Sequence, residues 1–461
     1  MFCEVLRVIV PIDKLIISDL DKGEDFWSFK KDCERDYVHG LFAYPAMMVP
    51  QMQREILNIF KNRIEGENQF TIFDPFMGSG TIMVEGMLQG ANIIGVDINP
   101  LAYLVSKVKT TIYSITALEN SIKRLFREIQ ENEKTPVETN FDNINKWFKE
   151  DVILGLDHIK KQIENEKSLK LRRYMWVAFS ETVRTVSNSR SSTYKLHIKD
   201  EKAIDEFDKD SIEIFKIILT KNLDSTKQYQ NKLQELGYII ENGNHKKYIG
   251  EIKIILGNSL IDSKRICKKF NPNLIITSPP YGDNHTTVTY GQYSVLSLKW
   301  INMNDIVKDI DNTVVSTLSE IDKRSMGGKK YESINTKQCS FLEASPTLKY
   351  QLNEIESIDK NKVNKILSFY NDFYIFIKSI EIVSSNTYVV MTVGNRTVAK
   401  TKIKMDEILN ELFIDSDFEF IYKFDRNILN KRMPVINHTD KETGHKSETM
   451  TKEYVLIFKK R

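Results

Sequence analysis

Cysteine is scarce in this chain. Cys3, Cys33, Cys267 and Cys339 are the four among 461 residues. They lie far apart and none belongs to a C-x-x-C pair. That argues against a structural zinc centre or a disulfide framework, and it fits a reducing cytoplasm. Long apolar runs are missing too: nothing approaches the ~20 residues that cross a bilayer, so no membrane association is expected. The apolar-flavoured start, Met1 to Val8, lacks the long centre and small-residue cleavage site of a signal peptide. No charge of one sign dominates. Lys and Arg number 66 against 63 Asp and Glu, a net charge of +3, so contact with nucleic acid would need a local basic patch. The composition is 41% hydrophobic and 28% charged, that of a soluble globular protein. The length exceeds one compact core and suggests a large domain with inserted modules.

Texture divides the chain into three parts. In residues 1–115, Phe70 to Phe73 is a short β-rich run that stops at Asp74-Pro75. Gly78 and Gly80 follow, then a helical run Thr81 to Leu88, then a second apolar run, Ala91 to Asp97. Strand, glycine turn, helix, strand opens a doubly wound α/β sheet. Residues 116–250 are rich in Lys, Glu, Asn, Leu and Ile and mostly helical in period, an expected helical insert. In residues 251–461 strand-like runs return at Ile252 to Leu256, Asn273 to Thr277, Thr387 to Val393 and Glu453 to Phe458. A polar stretch near 301–365 contains Met326-Gly327-Gly328-Lys329-Lys330, expected as a flexible loop. No internal repeat is present.

Two motifs carry chemistry. The first is Asp74-Pro75-Phe76-Met77-Gly78-Ser79-Gly80-Thr81. Its glycines allow a tight turn and close approach of the backbone to a ligand, and the helix that follows offers free N–H groups. A phosphate-binding P-loop would need a lysine between Gly80 and Thr81. A dinucleotide fingerprint would need glycine where Met83 stands. Asp97, at the end of the next strand, can accept hydrogen bonds from both hydroxyls of a ribose. A lone acid there would be a solvated turn residue; the glycine loop upstream favours the ribose.

The second motif is Thr277-Ser278-Pro279-Pro280-Tyr281. It follows an apolar strand, at the carboxyl end where open α/β sheets bind ligands. Two prolines stiffen the turn and remove two N–H donors. What remains is the Ser278 hydroxyl and the Pro279 carbonyl as acceptors, with the flat face of Tyr281 beside them. That set suits a planar base with an exocyclic amine. Alone, the motif could equally be an ordinary Pro-Pro turn.

Together these motifs resemble the amino-methylating DNA methyltransferases, which modify cytosine N4 or adenine N6. Asp74 to Thr81 looks like their motif I, Asp97-Ile98-Asn99-Pro100 like motif II, and Ser278 to Tyr281 like catalytic motif IV. His39 to Pro50, which contains Tyr44 and Pro45, resembles motif X, which completes the cofactor pocket. Gly257-Asn258-Ser259 resembles motif III, with Asn258 where the family usually has Asp; Asn can still pair with an adenine edge. The likeness covers roughly residues 36–110 and 250–300 and the final strands. It implies a mostly parallel, seven-stranded Rossmann-like sheet with an antiparallel last strand, at which Glu453 to Phe458 would lie.

The resemblance further implies S-adenosylmethionine as cofactor, held by Tyr44, Pro45, Asp74, Phe76, Gly78, Gly80, Thr81, Asp97 and Asn258. Ser278, Pro279, Pro280 and Tyr281 would be catalytic, and no metal is needed. Double-stranded DNA would be the substrate, its target base flipped out, with a cognate restriction endonuclease as a common companion. Serine before Pro-Pro-Tyr is usual in cytosine-N4 members. Adenine N6 is the alternative, followed by an RNA methyltransferase and a non-catalytic DNA-binding subunit. DNA contacts are expected from Arg190 and Lys195 in the loop Ser187 to Lys195 and from Arg396 after the Val393 strand. Lys431-Arg432 and the polar run Asn437 to Lys446 could also reach DNA. The recognition element lies in 116–250 or in 301–365. The polar stretch Gly282 to Gly291 could line or close the base pocket.

Overall fold

A computed structural model describes residues 11–29, 35–64, 69–134, 136–190, 193–242, 245–282, 287–328, 340–428, 436–438, 446–448 and 451–461. Among the sequence readings, Cys3, Cys33, Cys339, the Met1 to Val8 start, Ser191-Ser192, Asp283 to Thr286, Lys329-Lys330, Lys431 to Pro434 and Thr439 to His445 lie outside these residues.

After helix α1 (Pro50–Ile64) come β1 (Thr71–Asp74), α2 (Thr81–Met87), β2 (Asn92–Asp97) and α3 (Pro100–Lys109). The insert follows, carrying α4 (Ile115–Glu131), α5 (Glu150–Glu164), α6 (Leu169–Val186) and α7 (Ser211–Glu235). Its end is not helical. A small hairpin of Ile239–Asn242 and His245–Tyr248 leads back to the sheet. Then come β3 (Ile252–Leu256), α8 (Ser259–Phe270), β4 (Leu274–Thr277), α9 (Tyr290–Trp300), α10 (Lys360–Ile380), β5 (Tyr388–Val393), α11 (Met405–Asp415), β6 (Phe418–Asn427) and β7 (Lys452–Lys460).

The sheet has seven strands in the order β6-β7-β5-β4-β1-β2-β3. β1 pairs in parallel with β2 and β4, as does β3 with β2 and β5 with β4. β7 is antiparallel to both β5 and β6. It is the reversed last strand of an otherwise parallel sheet. The expected strands appear within a residue or two of their places. β6 was not foreseen: its charged sequence alternates poorly, and its pairing with β7 is bulged between Phe420 and Tyr422.

Side-chain alternation builds two cores. Ile72, Ile93, Ile276, Val390 and Ile457 point to one face, where they join Leu118, Trp176, Phe179 and Leu219 of the insert. Phe73, Ile94, Ile275, Val389 and Phe458 point to the other, against Ile266, Phe373, Phe376 and Leu409. The insert is thus a covering layer of the sheet. No helix among the described residues is long and apolar enough to cross a membrane.

Candidate active site

The glycine turn between β1 and α2 is built by steric demand. Gly80 has φ +80°, and a Cβ there would stand 2.8 Å from Ser106 Oγ on α3. That hydroxyl instead donates to the Gly78 carbonyl, at 2.8 Å. Asp97, at the end of β2, closes the turn from the other side. One carboxylate oxygen accepts the Gly78 N–H at 2.9 Å and the other the Asn99 N–H at 2.8 Å. Burial, opposed by the backbone N–H groups of Asn99, Gly78 and Ile98, raises the Asp97 carboxyl to about 6.

Asp74 ties the two motifs together. Its Oδ1 accepts the Thr277 hydroxyl at 2.6 Å and the Phe76 N–H at 3.0 Å. Its burial outweighs both contacts and raises the carboxyl to about 7. Asp74 Oδ2 and the Ser79 hydroxyl are buried without a partner among the described residues. Such orphaned groups are costly unless a ligand satisfies them. Of the two, Ser79 lines the pocket of this site, where its hydroxyl fits a ligand with a polar end.

The His39 to Pro50 segment is brought here by a partly buried ion network. His39 Nε2 lies 2.8 Å from Glu85 Oε1 on α2. Arg54 donates to both Glu85 oxygens and to Asp36. The Asp36, His39 and Glu85 ligand atoms are close enough to hold a metal ion, but the Arg54 guanidinium already occupies that place, hydrogen-bonded to both carboxylates. Tyr44 is buried, its hydroxyl accepting from Asn99 Nδ2 at 3.0 Å and its ring stacked on Tyr290 with centroids 5.7 Å apart.

One pocket runs along the carboxyl ends of β1, β2, β3 and β4. Tyr44, Pro45, Phe76, Gly78, Thr81, Asp97, Asn258, Ser278 and Pro280 all line it. Asp74, Gly80, Pro279 and Tyr281, also singled out from sequence, are not in its lining. Tyr290, Ile321, Arg324 and Met326 line it too. Tyr290 falls in the polar stretch expected to line or close the pocket; the other three had no signal in the sequence. They come from the 301–365 stretch, which bends back because Asp322 accepts the Gly291 and Gln292 N–H groups at the start of α9. Met326-Gly327-Gly328 is not a free loop in this setting: Met326 is buried, and the Gly327 N–H donates to Asp372 at 2.8 Å.

At the Ser278 to Tyr281 turn, hydrogen bonds run through four side chains. Arg426 on β6 pairs with Glu453 on β7. Glu453 Oε1 accepts the Tyr281 hydroxyl at 3.1 Å, and the Tyr281 and Ser278 hydroxyls lie 3.1 Å apart. A carboxylate only accepts, so Tyr281 donates to Glu453 and Ser278 donates to Tyr281. No other described residue donates to the Ser278 hydroxyl. Arg396 packs its guanidinium on the same turn, where a Cβ at Gly282 would meet it at 2.3 Å. Arg190 and Lys195 border a separate pocket beside α9. Their loop meets the chain just before α9, where the Thr289 hydroxyl donates to the Tyr194 carbonyl at 3.3 Å.

Residues 18–107 match the family model described as DNA methylase, which takes in N6 and N4 methyltransferases. The type II methyltransferase M.MvaI of Kocuria varians is 33% identical over 97% of this chain and 96% of its own. The chain belongs to the amino-methylating DNA methyltransferases. S-adenosylmethionine is the methyl donor of this methyltransferase family. The type II methyltransferase M.MjaII of Methanocaldococcus jannaschii is 33% identical over 28% of this chain and 27% of its own. Among solved structures, the rRNA methyltransferase aviRa from Streptomyces viridochromogenes matches at a TM-score of 0.32 and 9% identity, covering 94% of this chain and 96% of that one. That likeness adds nothing to the fold already described.

Proposed function

We propose that the protein methylates the exocyclic N4 of cytosine in a specific duplex sequence, acting in the cytoplasm on a base flipped out of the helix. The observation that carries this reading is the chain from Arg426 through Glu453 and Tyr281 to Ser278. It turns the Ser278 proton away and leaves an acceptor at the pocket wall. An aromatic amine is a poor nucleophile because its lone pair is delocalised into the ring. Acceptors at Ser278 and the Pro279 carbonyl draw on its hydrogens, favour rehybridisation and stabilise the positive charge that develops. Serine in place of Asp or Asn at this position supports cytosine over adenine.

S-adenosylmethionine supplies a methyl group on a sulfonium, so no protein nucleophile is required. In this reading Asp97 accepts from the ribose hydroxyls, while Tyr44, Pro45, Phe76, Gly78 and Thr81 wall the pocket and Asp74 backs it. The Asn258 side-chain oxygen is already used, accepting the Leu260 N–H at 3.0 Å. Its amide NH2 is left for an adenine acceptor, where the family's Asp could only accept. Tyr281 stacks on the base, its ring plane held by the two bonds to its hydroxyl. Replacing Tyr281 by Phe keeps the ring and frees the Ser278 proton to rotate; kcat should fall about tenfold with little change in cofactor affinity. Tyr281→Ala should fall further.

Ribose contacts require the ionised Asp97. Its pKa is raised, so cofactor affinity should hold above about 6 and weaken as pH drops through that value. Calorimetry across this range checks it, and Asp97→Asn should flatten the profile.

In this reading the duplex is contacted by Arg396 beside Gly282 and by Arg190 and Lys195 in the loop that meets Thr289. Arg190→Ala and Lys195→Ala should each weaken binding to all sequences alike and lower the salt slope by about one. The reading as a whole is tested with tritiated S-adenosylmethionine and equal amounts of duplex DNA and RNA. Label in DNA supports it; label in RNA alone overturns it.

A further inference from the structure

A second cleft lies at the opposite end of the sheet. Gln69, just before β1, Asn92, which opens β2, and Ile252, which opens β3, all line it. In a parallel sheet these are the entry ends of the strands, so the cleft faces away from the active site. Its volume is about 940 Å³. Its charge is one-sided: Lys107, Lys170, Arg173, Lys246, Lys247 and Lys253 line it against the single acid Glu251.

Lys246 and Lys253 are partly neutralised, by Glu241 and Glu251. The other four have no carboxylate partner among the described residues. Lys170 and Arg173 donate only to backbone carbonyls, those of Ile112, Asp305 and Ile306. We propose that this cleft is a second binding site, which takes the phosphate groups of a polyanion. Convergent, unpaired cations in a concavity raise the local potential and attract anions. Burial, then repulsion from Arg173 and Lys253, lowers the Lys107 pKa; a bound phosphate would offset the repulsion. The hydroxyls of Thr110 and Thr111 already donate to helix carbonyls, so the cations are the recognition groups.

This site needs no methyl transfer, and it can fail or stand apart from the proposed function. The test is calorimetric titration of the full chain with sodium tripolyphosphate at low ionic strength. Saturable binding is expected, reduced at least about tenfold in the K107Q/K170Q/K247Q variant. Lys107→Arg should retain it. S-adenosylmethionine binding should be unchanged in both, which shows that they are folded. No saturable binding, or equal affinity in wild type and the triple variant, would overturn the proposal. A short duplex that displaces tripolyphosphate identifies a nucleic-acid backbone as the natural source; failure to displace it identifies a small oligophosphate.

Discussion

Replacing Ser278 by alanine is expected to lower turnover on DNA about 10²- to 10³-fold, with cofactor affinity unchanged. The size follows from the role. An acceptor aimed at charge that appears only in the transition state lowers kcat and kcat/KM together when removed. The change is also clean structurally. Ser278 is the donor of its bond to Tyr281, and Tyr281 still donates to Glu453 without it. No buried donor is orphaned, so the melting temperature should hardly move. Single-turnover kinetics separates the chemical step from binding. A variant with wild-type turnover would remove Ser278 from the chemistry and, with it, the purpose of the Glu453–Tyr281 chain.

Asp97→Ala carries the second large effect. The two hydrogen bonds that its carboxylate would accept from a ribose are charge-assisted, worth about 1.5–3 kcal/mol each before compensation. A net loss of about 3 kcal/mol, roughly a hundredfold in Kd, is expected. The Gly78 and Asn99 N–H groups lose an acceptor as well, which loosens the glycine turn and adds to the loss. Asp97→Asn keeps one acceptor oxygen and should fall between. Unchanged affinity in Asp97→Ala would place the ribose elsewhere.

What could be read from the sequence was what local sterics and period impose. Gly80 must be glycine because its backbone is left-handed and Ser106 abuts it; such a demand survives in a short motif. Six of the seven strands were visible because residues such as Ile72 and Phe73, packed into cores on both faces, leave short apolar runs. What could not be read was anything joining distant segments. Glu453 and Arg426 look like ordinary strand charges until β6 and β7 bring them to Tyr281, 172 residues from Glu453. Helical period showed that 116–250 has apolar faces, but not that those faces cover the sheet itself. The 301–365 stretch reads as a polar insert with a loop at Met326 to Lys330, and only the Asp322 contacts with α9 reveal that Arg324 and Met326 reach the pocket. The basic cleft was invisible for the same reason, since a net charge of +3 averages it away.

The central claim is the identity of the methylated atom. The most direct test incubates purified protein with S-adenosylmethionine and mixed-sequence duplex DNA, digests the DNA to nucleosides and separates them by mass spectrometry. The account predicts N4-methylcytosine, formed about 10²- to 10³-fold more slowly by Ser278→Ala protein. N6-methyladenine as the product would contradict it.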